Sequence, residues 1–130
     1  MRRWIGRWIG RYLIGVGVLH NVVGFALYHA PLRAIAADGG WNAVDPYVDR
    51  NMAFWFLLTG VSWLFLGLLV DWIESRAIPL PQRLGWGLLA LCAVGVFFMP
   101  VSGFWLFLLP AAAMLRRRPL AAAGVSAGAA

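Results

Sequence analysis

The sequence predicts an all-α membrane protein: a four-transmembrane-helix bundle with both termini on the cytoplasmic side. Three observations lead there. Of the 130 residues, 62% are hydrophobic and only 12% are charged, against about 25% charged in soluble domains. The basic residues are all arginine, and most fall in clumps: Arg2, Arg3, Arg7 and Arg11, then Arg76 and Arg83, then Arg116, Arg117 and Arg118. Between the clumps run the uncharged stretches 12–32, 51–70 and 84–115. A hydrocarbon core about 30 Å thick needs roughly 20 helical residues, and each stretch is close to that length or beyond it.

The first span is expected at about 12–30. A basic N-terminus before an apolar run can be a cleaved signal. Here the run continues to Tyr28 with no convincing small-residue cleavage site, so it reads as a retained span. It is led in by a tandem repeat, Trp4-Ile5-Gly6-Arg7 and Trp8-Ile9-Gly10-Arg11. A period of four stacks like on like along a helix. Arg3, Arg7 and Arg11 then form one strip and Trp4, Trp8 and Tyr12 another, suited to lipid headgroups or simply to a basic flank. Gly6 and Gly10 make a GxxxG pair that permits close backbone approach.

The outer loop follows over 33–50. Asp38-Gly39-Gly40-Trp41-Asn42 is turn-forming and Asp45-Pro46 starts a further turn. Asp49 is placed to cap the next helix. The second span is expected at about 51–72. The run 84–115 would be about 48 Å long as one helix, too long for one crossing. Pro100-Val101-Ser102-Gly103 interrupts it with turn and helix-start chemistry, giving spans at 84–99 and 101–115.

Four crossings put nine arginines on one side and two, Arg33 and Arg50, on the other. The positive-inside rule then places both termini in the cytoplasm. Trp4, Trp8, Trp72 and Trp86 fall at that boundary, where amphipathic rings sit. Residues 1–118 form one domain and the Ala/Gly-rich tail 119–130 is expected to be disordered. The localisation expected is the cell (cytoplasmic) membrane, multi-pass.

His20 is the ionisable side chain that stands near the middle of a span, and such residues call for a functional hypothesis. Gly17, His20, Asn21, Gly24 and Tyr28 fall within about 100° of one another on the first helix. On the second, Asn51, Trp55, Thr59 and Ser62 share a face about 80° wide. Counting inward from the outer ends brings His20 level with Thr59 and Ser62. Two readings are open. A neutral His20 bonded to Thr59 or Ser62 would be helix glue, worth about 0.6 kcal/mol. Alternatively, His20 is a general acid/base and Asn21, Tyr28, Asn51, Trp55, Thr59 and Ser62 hold the polar head of an amphipathic ligand.

Other site types are poorly served. Cys92 is the sole cysteine, which rules out an internal disulfide. His29 lies about 180° around the helix from His20, so the two cannot grip one haem iron. Zinc ligands are lacking, and no cofactor or metal is expected. The glycines lie inside apolar helices and imply packing, not a phosphate loop. Asp71 and Glu74 belong to the interface. The formal charge of +6 flanks apolar spans instead of striping a polar domain, so anionic lipid is the expected partner and nucleic acid is not.

The stretches Asp49-Arg50-Asn51-Met52-Ala53-Phe54-Trp55-Phe56, Val70-Asp71-Trp72-Ile73-Glu74, Leu84-Gly85-Trp86-Gly87 and Met99-Pro100-Val101-Ser102-Gly103-Phe104-Trp105 together resemble a family of small bacterial four-span membrane proteins of unknown function. The resemblance runs from Arg3 to about Leu115. It implies the architecture and no activity. Size and span number also resemble the small multidrug resistance exporters, whose first span carries a membrane-embedded glutamate. This chain has His20 and no acid there, which argues against cation antiport.

The functional expectation is an accessory or small hydrophobic-ligand-binding bundle, with membrane lipids, a homodimer or another membrane protein as partners. The alternatives are a membrane-embedded isomerase or cyclase acting on a lipid-like or isoprenoid substrate through His20, and a small oligomeric transporter.

Overall fold

The computed structural model describes residues 7–116. Arg2, Arg3, Trp4, Gly6, Arg117, Arg118 and the tail 119–130 lie outside the described residues. Helices α1 (Ile9–Leu27), α2 (His29–Ala37), α3 (Val48–Ser75), α4 (Gln82–Phe98) and α5 (Leu108–Arg116) follow in order, with a 3-10 helix, Gly103–Phe107, leading into α5. There is no strand among the described residues. The chain divides into two compact units, one ending at Trp72 and the other starting at Ile73.

In the first unit α1 and α3 pack against each other through glycines. Gly10, Gly17 and Gly24 recur every seventh residue on α1, and Ala53, Gly60 and Gly67 do so on α3; all six are buried. A seven-residue repeat keeps one stripe of a helix turned to its partner along a shallow left-handed crossing. Small residues there bring backbone onto backbone. A Cβ added to Gly17 would lie 2.9 Å from the Leu64 nitrogen and 3.0 Å from the Gly60 oxygen. One added to Gly67 would lie 2.6 Å from the Ile14 nitrogen, and one on Gly10 would collide with the Asp71 backbone. Gly10 is therefore occupied within the chain, which answers the GxxxG expectation at that position.

The outer connection is more helical than the sequence suggests. After Tyr28 the chain restarts as α2 and runs to Ala37, inside what was expected to be loop. Gly39 (φ +81°) then ends α2 in a Schellman turn. The Gly40 and Gly39 N–H groups donate to the Ile35 and Ala36 carbonyls at 3.0 and 3.2 Å, which satisfies the terminal acceptors. Helix α3 begins at Val48, so Asp49 sits within its first turn and acts on the helix dipole there.

The second unit is a helical hairpin. Helix α4 stops at Phe98 and the chain turns through Met99–Ser102. The Trp105 indole donates to the Pro100 carbonyl at 2.8 Å across that turn. Pro110 has no N–H to give to a carbonyl four residues back and its ring crowds that carbonyl, so the helix reaches α-geometry only at Leu108. Gly85, Leu88, Cys92 and Gly95 form the buried stripe of α4, and Phe107, Pro110, Ala111 and Met114 that of 103–116. The Phe104 ring lies over Gly95.

Two helices, α1 and α3, are long and apolar enough to cross a membrane; α4 and the 103–116 segment are shorter apolar helices. Only 28% of the apolar window of α1 and 22% of that of α3 is buried. A core helix of a soluble domain would be mostly covered. Here Phe25, Leu27, Phe65, Leu68 and Leu69 all stand more than half exposed.

Candidate functional site

His20 and Asn21 flank the glycine stripe of α1, one on each side of Gly17. The His20 ring lies flat against Phe56 of α3, with centroids 4.0 Å apart and planes 14° from parallel. Its Nε2 is 3.1 Å from the Phe56 carbonyl oxygen. A carbonyl can only accept, so Nε2 carries a proton and donates it to this oxygen. The Tyr28 ring also lies against Phe56, tilted, at 5.2 Å between centroids. Two of the expected residues, His20 and Tyr28, thus meet on an aromatic side chain the sequence reading did not single out.

Asn21 is laid across Gly60. A Cβ at residue 60 would overlap the Asn21 amide, so the glycine is what lets a polar side chain enter the helix contact. The Asn21 Oδ1 is buried and receives no hydrogen bond. In a low-dielectric surrounding an unmet acceptor of this kind is costly.

The other expected residues lie elsewhere. Asn51, Trp55, Thr59 and Ser62 do share a face of α3, but by helical arithmetic it is opposite the Ala53–Gly60–Gly67 stripe. The Thr59 hydroxyl donates to the Trp55 carbonyl at 2.8 Å and the Ser62 hydroxyl to the Leu58 carbonyl at 2.9 Å. Both are bonds back to their own helix, the usual resort of these residues within an apolar span. His20 therefore bonds to the Phe56 backbone, not to Thr59 or Ser62. Trp55 is exposed and edge-on to Phe54. Asn51 reaches back to the loop, its amide donating to Asp45 at 2.9 Å.

Charge gathers at the two ends of the first unit. At one end the Arg7 guanidinium donates to Asp71 at 3.0 Å, and Arg11 approaches the same carboxylate at 3.6 Å. Asp71 is thus an ion-pair partner of the basic flank. At the other end Arg50 donates from one nitrogen to the Asp38 carboxylate and to the Ala43 carbonyl, both at 2.7 Å, and lies 4.1 Å from the Tyr47 ring centroid. Among the described residues no three His, Cys, Asp or Glu side chains are grouped to hold a metal ion.

Phe56, Gly60 and Arg50 are the partners that sequence reasoning missed. The seven-residue spacing of glycines on both helices could have located the seam, and Phe56 stands one helical turn before Gly60. Nothing in the sequence pairs Arg50 with Asp38.

Fold and site together describe a small all-helical protein built around two helices of membrane-crossing length, with a histidine in the contact between them. The chain belongs to the family of unknown function DUF6463, whose model matches residues 4–121. No curated protein and no solved structure matches it.

Proposed function

We propose that the chain is a four-crossing protein of the cytoplasmic membrane, with both termini in the cytoplasm, that works by association and not by catalysis. It serves as an accessory subunit whose apolar perimeter meets lipid and the helices of a partner. The observation that carries this reading is the exposure of α1 and α3, whose apolar windows are 28% and 22% buried. Contiguous apolar surface on that scale marks a lipid or protein interface. The polar residues support association too. His20 is held by a backbone carbonyl, and Thr59 and Ser62 are turned back on their own helix, which leaves no converged acid, base and binding group among the described residues.

Topology is tested by labelling single cysteines in a Cys92→Ala background. Cysteine at Ala36 reacts with an impermeant maleimide in intact cells, and cysteine at Ile78 reacts only after permeabilisation. Labelling of both, or of neither, from outside would overturn the four-crossing arrangement. Purified wild-type protein that converts a lipid or isoprenoid, with the activity lost in His20→Ala, would overturn the non-catalytic reading in favour of the isomerase.

A further inference from the structure

Residues 39–42 form a tip that holds Trp41 almost wholly clear of the protein, at 93% exposure. Three of the four residues take left-handed backbone angles: Gly39 at +81°, Gly40 at +78° and Asn42 at +52°. Glycine and asparagine adopt that region most readily. The tip is also clamped. Arg50 bonds Asp38 just before it and the Ala43 carbonyl just after it, from the same nitrogen. The Arg50 side chain is only 12% exposed, so it is committed to this turn. Ala43 is buried beneath it. A wholly exposed indole on a fixed turn, adjoining a helix whose first residues Val48 and Met52 are exposed and apolar, has an apolar body in need of cover and an N–H in need of a polar partner. Both are met at the headgroup level of a bilayer, where tryptophan is enriched. The Asp38 carboxylate, 53% exposed, stays in water and limits the depth to that level.

We infer that Trp41 is an interfacial anchor: a clamped tip that seats its indole among the lipid headgroups on the outer side. This rests on the membrane reading above, so the test separates the two. In a Cys92→Ala background, cysteine is placed at Trp41 or at Val61, labelled with an environment-sensitive fluorophore, and reconstituted in nanodiscs of phosphatidylglycerol and phosphatidylcholine. The label at 41 is expected to be quenched by lipid spin-labelled near the headgroup, at least twofold more than by aqueous iodide. The label at 61 is quenched by lipid spin-labelled deep in the chain. Arg50→Gln and, separately, Asp38→Asn at least halve the lipid quenching at 41 and leave that at 61 unchanged. Iodide quenching at 41 with lipid quenching at 61 overturns the anchor and spares the membrane reading. Loss of lipid quenching at both positions overturns both. A label at 41 shielded from lipid and iodide alike means a protein partner covers the tip, and also overturns the anchor. Unchanged quenching in both clamp variants overturns the role given to Arg50.

Discussion

The α1–α3 pair and the α4–α5 hairpin both use glycine, and use it differently. In the first unit Gly10, Gly17 and Gly67 let backbone meet backbone, while Gly24 and Gly60 of the same stripes receive the side chains of Leu57, Phe56 and Asn21. Gly17 faces the Gly60 oxygen and the Leu64 nitrogen, and Gly67 faces the Ile14 nitrogen. In the hairpin, Gly85 and Gly95 of α4 are notches that receive mainly side chains: Gly95 takes the Phe104 ring, and Gly85 takes Met114 and Leu115 with the Ala111 carbonyl oxygen beyond them. A side chain can shift to make room, whereas a helix backbone moves only if the helix moves. The first unit should therefore be stiff and intolerant along its seam, and the hairpin more forgiving.

The largest expected effect is at that seam. Gly17→Ala should destabilise by about 1–3 kcal/mol, seen as a lower melting temperature in mild detergent by circular dichroism. Gly15 has nothing within 4 Å of a Cβ. Gly15→Ala should therefore be neutral, or stabilising by up to about 1 kcal/mol from helix propensity. Equal effects at 15 and 17 would break the seam account.

Gly85→Ala should fall between these values. Its Cβ would sit 3.0 Å from the Met114 Cβ, 3.1 Å from the Leu115 Cγ and 3.2 Å from the Ala111 oxygen, a squeeze that shifts of a few tenths of an ångström relieve. A cost matching that of Gly17→Ala would erase the contrast between the units.

Smaller again is His20→Ala. It removes a hydrogen bond worth about 0.6 kcal/mol between membrane helices, together with the stacking on Phe56. Thr59→Val should change stability least, because the Thr59 hydroxyl bonds only within α3. If Thr59→Val costs more than His20→Ala, then the far face of α3, and not the seam, is where polar groups matter. Differential scanning fluorimetry of the two variants side by side decides the order.

At the far end of α3, Ala77 holds a left-handed φ of +55°, with the Ile78 N–H donating to the Ile73 carbonyl at 3.3 Å. This is the closure that Gly39 makes after α2, formed without glycine. A non-glycine residue there costs roughly 1–2 kcal/mol. Ala77→Gly should recover part of that, offset by chain entropy, as a small rise in melting temperature.

These two regions were not equally legible in the sequence. Helix class, the apolar runs and the interruption after Phe98 follow from charge spacing, span length and the Pro100–Gly103 signals, which are local. The partnership of His20 was not local. Depth counting placed Thr59 and Ser62 beside it, but depth says nothing about rotation. The rotation of α3 is set by Ala53, Gly60 and Gly67, the residues small enough to meet α1, and that turns Thr59 and Ser62 away and Phe56 toward His20. The α2 helix was missed because Arg33 ends the uncharged run 12–32 and the turn-forming residues from Asp38 onward set the character of the loop, although nothing between them breaks a helix. The Arg50 clamp joins Asp38 to the start of α3 across a turn, and no sequence period announces such a contact.

The central claim is that α1 and α3 lie in a bilayer. It is tested most directly by washing isolated cell membranes with alkaline carbonate and following the untagged chain. The account predicts that the chain stays with the membrane pellet and is released only by detergent. Release into the supernatant by carbonate alone would contradict it.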